Sequence, residues 1–492
     1  MNASSATHDL KFETEAINRA AVLGKITPAL LSKTRPCRLH DCAHDSEFEA
    51  RITRVSLKSA VAKSCAYSQA VRSRPLAIQT IVHMRKMAYH QRVSLQCYNA
   101  DGTPIVNQHT DGPADNRLNG LDHLRALAIT YVFLFHYSTH FPHPKWLERI
   151  GEFGWTGVDL FFVLSGYLVG GQLQRMQALG GAVAGGEFYI KRFFRIIPVY
   201  LLVVAIYFLI PGFREHEGIA PLWKFLTFTQ NFGLDLAAER AFSHAWSLCV
   251  EEHFYLVLPW LIGPLAASGS ARTAIWVGVS VLIGGLILRA CSWLELFHPQ
   301  GNIIAWWEWV YYPTYNRLDG LLFGVCAAAV QNFMHPLWQR ITSRWKMVAL
   351  VGVALLYCSY VLSADQYSFV ASVFSFPLIA AAYGCLLFAA VSPASVLHRI
   401  RLTTTSFMAT WSYSIYLTHK GVIHLSQKLV AGFGIAPDSG VTFILATLVC
   451  VLVAWLLHLT VERPFMELRA MVLSRLRSMR APGRAEISRP IF

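Results

Sequence analysis

The chain has 492 residues, 54% hydrophobic and only 15% charged, with a mean hydropathy of +0.39. Soluble globular domains carry about 25% charged residues, so a deficit this large excludes a wholly water-facing protein. The net charge of +14 falls in short clusters between apolar runs and in both tails, which is the pattern of membrane topology rather than of a nucleic-acid-binding surface.

Residues 1–116 are basic and rich in Ser and Ala, and they hold no run able to cross a membrane and no signal-peptide pattern. They are expected to form a disordered or weakly structured cytoplasmic extension without chemistry of its own. Cys37, His40, Cys42 and His44 imitate a metal-ligand set there, but no metal is expected in so polar a tail. The ten cysteines show no disulfide spacing and read as free, mostly buried thiols.

From Asn119 onward the apolar runs predict an all-α, polytopic membrane bundle of about ten spans. Their approximate bounds are 121–141, 156–174, 196–211, 248–267, 273–291, 315–332, 347–363, 368–390, 406–425 and 441–460. The loops 175–195, 268–272, 333–346 and 391–405 hold ten Lys/Arg against one acid, Glu187, whereas the alternate loops hold more acids than bases. That asymmetry predicts both termini on the cytoplasmic side. The membrane domain is set at 117–467, followed by an Arg-rich cytoplasmic tail over 468–492.

Ionisable groups inside a span cost about 2.5 kcal/mol or more each, so each is a functional candidate. In the first span Arg125 and His136 are eleven positions apart. Eleven steps of 100° return to one helix face, with the two side chains roughly 16 Å apart along the axis. A histidine merely satisfied by a neighbouring helix is the plainer alternative. The second span, GVDLFFVLSGYLVGG, places Asp159 near its outer end, and Gly166 and Gly170 read as a close-packing pair. Next, EFYIKRFFRIIP carries Lys191, Arg192 and Arg195 at the cytoplasmic start of the third span. Arg192 and Arg195 are neighbours on one helix face and could grip phosphates bidentately. A plain stop-transfer basic cluster would look the same.

The fourth span begins with HAWSLCVEEHF and brings Trp246, Glu251 and Glu252 to the outer side, and YNRLDG delivers Arg317 and Asp319 to the same depth. The ninth span, through SYSIYLTHK, adds His419. Independent spans thus predict one outer layer of His136, Asp159, Trp246, Glu251, Arg317, Asp319 and His419, and a second layer of Arg125, Arg192 and Arg195 nearer the cytoplasm. A polyanionic donor held by the arginines would reach toward His136. That imidazole could take a proton from an acceptor hydroxyl, oriented by Glu251 or Asp159.

In chain order, RLNGLDHLRALAITYVFLFHYS, GVDLFFVLSGYL, RFFRIIPVY, WSLCVEEHFYLVLP, NRLDGLLFG, WSYSIYLTH and VERPF resemble the acyltransferase-3 family of membrane O-acyltransferases over residues 117–467. The resemblance implies His136 as the catalytic residue of an Arg125–His136 motif, and Arg192 with Arg195 as the donor site. It implies an acyl-CoA co-substrate, usually acetyl-CoA, with no bound cofactor. The implied acceptors are surface polysaccharides, lipid-linked sugars or exported small molecules, and the implied location is a bacterial inner membrane. The extension over 1–116 departs from the usual core, and no hydrolase domain is visible after the last span. The rival reading is a proton-coupled transporter using the buried His, Asp and Glu groups as a relay.

Overall fold

The computed structural model describes residues 119–178 and 186–479, all of them within one compact unit, Asp115–Phe492. The expected extension over 1–116, with its Cys37, His40, Cys42 and His44, lies outside the described residues, as does the tail beyond Met479.

Among the described residues the fold is helical, with isolated β-bridges at Ile219 as the sole sheet-like pairing. The long helices are α1 (Asn119–His140), α2 (Gly157–Ala178), α3 (Gly186–Leu209), α4 (Trp246–Ser268), α5 (Ala271–Cys291) and α6 (Asp319–Phe333). They continue with α7 (His335–Ser343), α8 (Trp345–Leu362), α9 (Phe369–Val391), α10 (Thr403–Gly432), α11 (Gly440–Leu457) and α12 (Arg463–Met479). Local chemistry sets several ends. Ser270, Ser368 and Ser439 each accept a backbone N–H three residues on, capping α5, α9 and α11. Gly269, at φ +61°, closes α4 in the left-handed region that a side chain would strain.

Each of the ten expected segments is occupied by a long helix. Six helices among the described residues are long and apolar enough to cross a membrane, and a seventh crossing arises if α6 and α7, bent by 111° at Met334, count together. The remaining three, α1, α4 and α10, are the ones that carry Arg125 and His136, Glu251 and Glu252, and His419. Their polarity is what lowers their hydropathy. The third helix begins at Gly186, ten residues before the expected 196, so Arg192 and Arg195 lie within it rather than at its start.

Helix α2 is the centre of the bundle, packed on α1, α4, α6 and α9. Its contact with α6 depends on glycine. A Cβ on Gly166 would stand 2.1 Å from the Leu321 carbonyl oxygen, and one on Gly324 would stand 2.2 Å from that of Val163. Gly170 faces Val325 in the same seam. The close-packing reading of Gly166 and Gly170 therefore holds. Helix α10 packs against α1 on one side and α11 on the other, which brings two histidines 283 positions apart in sequence face to face.

Candidate active site

His136 Nδ1 lies 2.8 Å from His419 Nε2, with the two rings stacked at 4.9 Å between centroids. His419 Nδ1 is 2.8 Å from the carbonyl oxygen of Tyr416 and 3.1 Å from that of Ile415. Carbonyls only accept, so this nitrogen carries the proton. In neutral His419 the Nε2 lone pair is then bare, and His136 must donate from Nδ1. A neutral His136 held in that tautomer presents an unprotonated Nε2, which is what a general base requires.

Two further histidines close around this pair. His244 stands edge-on to both rings, 5.0 Å from His419 and 5.8 Å from His136, and His140 stands edge-on to His136 at 5.5 Å. His244 occupies a short turn ahead of α4, reached through Phe242 at φ 58°. A left-handed backbone at a buried aromatic residue is uncommon and strained. Here Phe242 is held by stacking on Tyr207 and Phe225, and the turn drops His244 into the bundle. Tyr416 donates its hydroxyl proton to the His244 carbonyl and lies 2.6 Å from Ser247 Oγ, tying the turn to α10. Among the described residues no group of three or more His, Cys, Asp or Glu is arranged to hold a metal ion.

The arginine layer is real as a cluster. Arg125 lies within electrostatic reach of Arg192, Arg195 and Asp122. The three guanidiniums have different partners. Arg195 is ion-paired with Glu462, whose second oxygen is 3.0 Å from His458 Nδ1. Arg192 lies over the Tyr255 ring at 5.1 Å, and its Nε is buried without a hydrogen-bond partner. Lys191 is paired with Glu187 at 2.8 Å, so it is not available in the same way. An orphaned guanidinium N–H among three clustered arginines fits an anion such as a phosphate.

The outer layer expected from the sequence divides. His136 and His419 meet, but neither Glu251 nor Asp159 orients the His136 ring; His419 occupies that position. Glu251 accepts from Ser165 Oγ at 2.9 Å and from Tyr255 at 3.0 Å, within reach of Arg192 and Arg125. It is also within reach of Tyr416, so it stands between the arginine and histidine clusters. Glu252 has a buried oxygen without a partner and feels Glu251 and Arg192.

Asp159, Arg317, Asp319 and Trp246 form a separate ionic core. Arg317 donates to Asp159 at 2.8 Å and sits over Phe376, Tyr311 and Trp246 at 4.0, 4.4 and 5.3 Å. Asp319 is gripped by both terminal nitrogens of Arg289, at 2.5 and 3.2 Å. Arg289 is wholly buried and also donates to the carbonyls of Asn316 and Val373. Each guanidinium here is paired with a carboxylate, as in a structural ion-pair network, while Asp159 Oδ2 and Arg317 Nε and Nη1 are buried without hydrogen-bond partners. Arg289, His140, His244 and Lys420 were missed by sequence reasoning. Arg289 and Lys420 carried the same signal as the others, an ionisable side chain inside an apolar run. His244 lies just ahead of the expected fourth span, where depth gave no cue.

The described residues thus combine a tautomer-fixed histidine pair with a separate cluster of arginines, in a helical bundle with six helices able to cross a membrane. The family profile described as an acyltransferase domain matches residues 118–459, and the chain belongs to this acyltransferase-3 family. The peptidoglycan O-acetyltransferase OatA of Listeria monocytogenes is 28% identical over 329 residues, covering 63% of this chain and 50% of the relative. The putative peptidoglycan O-acetyltransferase YrhL of Bacillus subtilis is 26% identical, covering 63% and 49%, and the O-acetyltransferase OatA of Staphylococcus aureus 26%, covering 62% and 50%. The chain thus spans about half the length of these curated relatives. No solved structure matches. The transporter reading finds no support in this membership.

Proposed function

We propose that this chain is an integral-membrane O-acyltransferase that moves an acyl group, acetyl in our reading, from cytoplasmic acyl-CoA to a hydroxyl of a surface glycan, lipid-linked sugar or exported small molecule. The observation that carries the proposal is the bare Nε2 of His136, which lies on the same helix as Arg125 and is fixed by His419 of α10. Relatives named as peptidoglycan O-acetyltransferases support a carbohydrate acceptor and acetyl as the group moved.

The chemistry follows from those positions. Phosphates of the donor lie against Arg192, Arg125 and Arg195, and the thioester arm reaches up the bundle past Glu251. His136 Nε2 removes the proton as the acceptor oxygen attacks the thioester carbonyl. The imidazolium that forms is stabilised through Nδ1–H donating to His419 Nε2. Collapse of the tetrahedral intermediate breaks the C–S bond, and the proton on His136 passes to the leaving thiolate. Acceptor ester and free CoA leave, and the base returns to its starting tautomer.

The same reading takes the helices over the ten expected segments as ten crossings of a bacterial inner membrane, with the arginine end cytoplasmic; the basic loops support it. Purified protein in lipid nanodiscs should release CoA from acetyl-CoA and form an acetyl ester when an acceptor is present. Mass analysis of surface glycans with and without the gene should show loss of an acetyl group. Cysteines introduced at Pro144 and Asn302 should react with an impermeant reagent from outside the cell, and one at Ser343 should not. Absence of acetyl-CoA turnover with every acceptor would remove the enzyme reading, and outside labelling at Ser343 would reverse the orientation.

A further inference from the structure

Beside the histidine pair lies a cation that the transfer chemistry does not use. Lys420 follows His419 on α10 and is only 1% exposed. No hydrogen bond or ion pair joins its ammonium to any described residue. It stands within electrostatic reach of His136, His140, His244 and His419. Glu215 is a carboxylate within the same reach; its Oε1 accepts from the Phe242 N–H at 3.1 Å, its Oε2 is buried without a hydrogen-bond partner, and neither oxygen is ion-paired with Lys420.

The positive charge continues to the surface. Arg240 is exposed and within reach of Lys420, His140 and His216. His216 and His140 are half-buried between them. A line of cationic or protonatable groups therefore leads from the loop 211–245 down to the base. Burying an ammonium without a partner costs free energy, and an anion brought beside it recovers part of that cost. The donor's phosphates do not supply that anion, because their arginines lie roughly 16 Å away along α1. An anion on the other substrate would approach Lys420 from the loop side, where Glu215 is the carboxylate it has to compete with.

We propose that Lys420, with Arg240, His216 and His140, forms an anion-binding approach to His136, and that the acceptor carries a carboxylate or phosphate close to the hydroxyl that is acylated. This inference rests on the acyltransferase reading and narrows its acceptor class. Lys420 fixes the acceptor's charged group, so its hydroxyl meets His136 Nε2 in one orientation, while Arg240 gathers the anion from solution.

The test uses the full chain in nanodiscs with acetyl-CoA and three sugars that share one primary hydroxyl: N-acetylglucosamine, N-acetylmuramic acid and N-acetylglucosamine 1-phosphate. The first is neutral, the second bears a carboxylate and the third a phosphate, so the two anion sources are separated. One or both anionic sugars should exceed the neutral one by about tenfold or more in kcat/KM, the scale of one charge-assisted hydrogen bond. Lys420→Gln should erase that preference, chiefly through the acceptor KM, while acetyl-CoA binding persists. Arg240→Gln, at an exposed position that does not threaten folding, should reduce it several-fold. Equal use of the three sugars, preference for the neutral one, or a preference that survives both substitutions would overturn the inference. If acetyl-CoA is neither bound nor turned over with any sugar, the acyltransferase reading fails; if transfer proceeds without regard to charge, this inference alone fails.

Discussion

Glu462 meets Arg195 at the arginine end of the bundle, where the chain passes through a π-helical turn at His458–Glu462 before α12 begins. Insertions of this kind re-aim side chains and concentrate at working sites. The turn directs a carboxylate that is 1% exposed against a guanidinium we assign to the donor. Glu462 thus orients Arg195 and also places a negative charge where a polyanion is to bind. The two effects separate by substitution. Glu462→Gln keeps an oxygen that accepts from Arg195 and removes the charge, so acetyl-CoA should bind a few-fold more tightly. Glu462→Ala removes the partner as well and should bind it more weakly than wild type. Isothermal titration with acetyl-CoA checks both, and identical affinities in all three proteins would detach Arg195 from the donor.

The histidine pair gives a second test. His136→Ala should abolish transfer with insertion and yield retained, since general-base catalysis contributes about 10²- to 10⁴-fold. His419→Ala leaves the base present but releases its tautomer, so kcat should fall by an order of magnitude or more with the acetyl-CoA KM unchanged. His419→Gln restores an acceptor oxygen for His136 Nδ1–H and should recover part of the loss. Equal kcat in wild type and His419→Ala would mean that His136 is oriented by something else.

At the arginine layer, Arg192 is the guanidinium with an orphaned buried nitrogen. Arg192→Lys keeps the charge and forfeits the fork, and should raise the acetyl-CoA KM. Arg192→Ala together with Arg195→Ala should weaken donor affinity by about two orders of magnitude, taking 1.5–3 kcal/mol for each charged hydrogen bond. Fluorescence titration with a labelled CoA measures it. Wild-type affinity in the double mutant would reduce these residues to topology signals.

The Asp159–Arg317 pair should behave as architecture. Asp159→Asn leaves a buried guanidinium with a poorer partner and should destabilise by about 3–5 kcal/mol, the usual result of breaking such a pair. Replacing both, Asp159→Leu with Arg317→Met, should recover much of that stability. Thermal unfolding in detergent gives the comparison. A double mutant that is fully stable yet inactive would instead give the pair a direct part in catalysis.

Glycine packing supplies a contrast between two helices. Gly324→Ala forces a methyl against the Val163 carbonyl and should cost about 1–3 kcal/mol or more by overpacking. Gly284→Ala, where nothing lies within 4 Å, should be neutral or stabilise α5 slightly. Melting temperatures of the two variants should differ in that order.

Much of this arrangement can be read from the chain because the bilayer makes polar residues conspicuous. Arg125 and His136 stand out within an apolar run, and helical geometry puts them on one face. Gly166 and Gly170 announce the α2–α6 seam by their spacing. What sequence spacing does not carry is the pairing of side chains from distant helices. Depth alone placed Glu251 and Asp159 beside His136; rotation of α2 and α4 about their axes gives Asp159 to Arg317 and Glu251 to Ser165 and Tyr255. The partner of His136 comes from α10, and only its depth was legible. The turn that buries His244 depends on the left-handed conformation of Phe242, which residue identity does not foretell. Helix α3 begins early because Gly186 to Phe194 are helical despite their charge.

Arg125 and His136 share one continuous helix, and this has a consequence for which donors can react. The span between them is not adjustable by loop motion; it is a rigid ruler of about eleven residues at 1.5 Å each. Under the proposed donor assignment, a donor is gauged by the length of its arm, and its reactive carbon stands as far from its phosphates as His136 stands from Arg125. Thioesters on a shortened arm would be held and yet stay idle, while longer acyl chains would have to extend past the histidines toward the acceptor. One residue inserted between the two would lengthen the ruler by about 1.5 Å and swing the base about 100° away from the site.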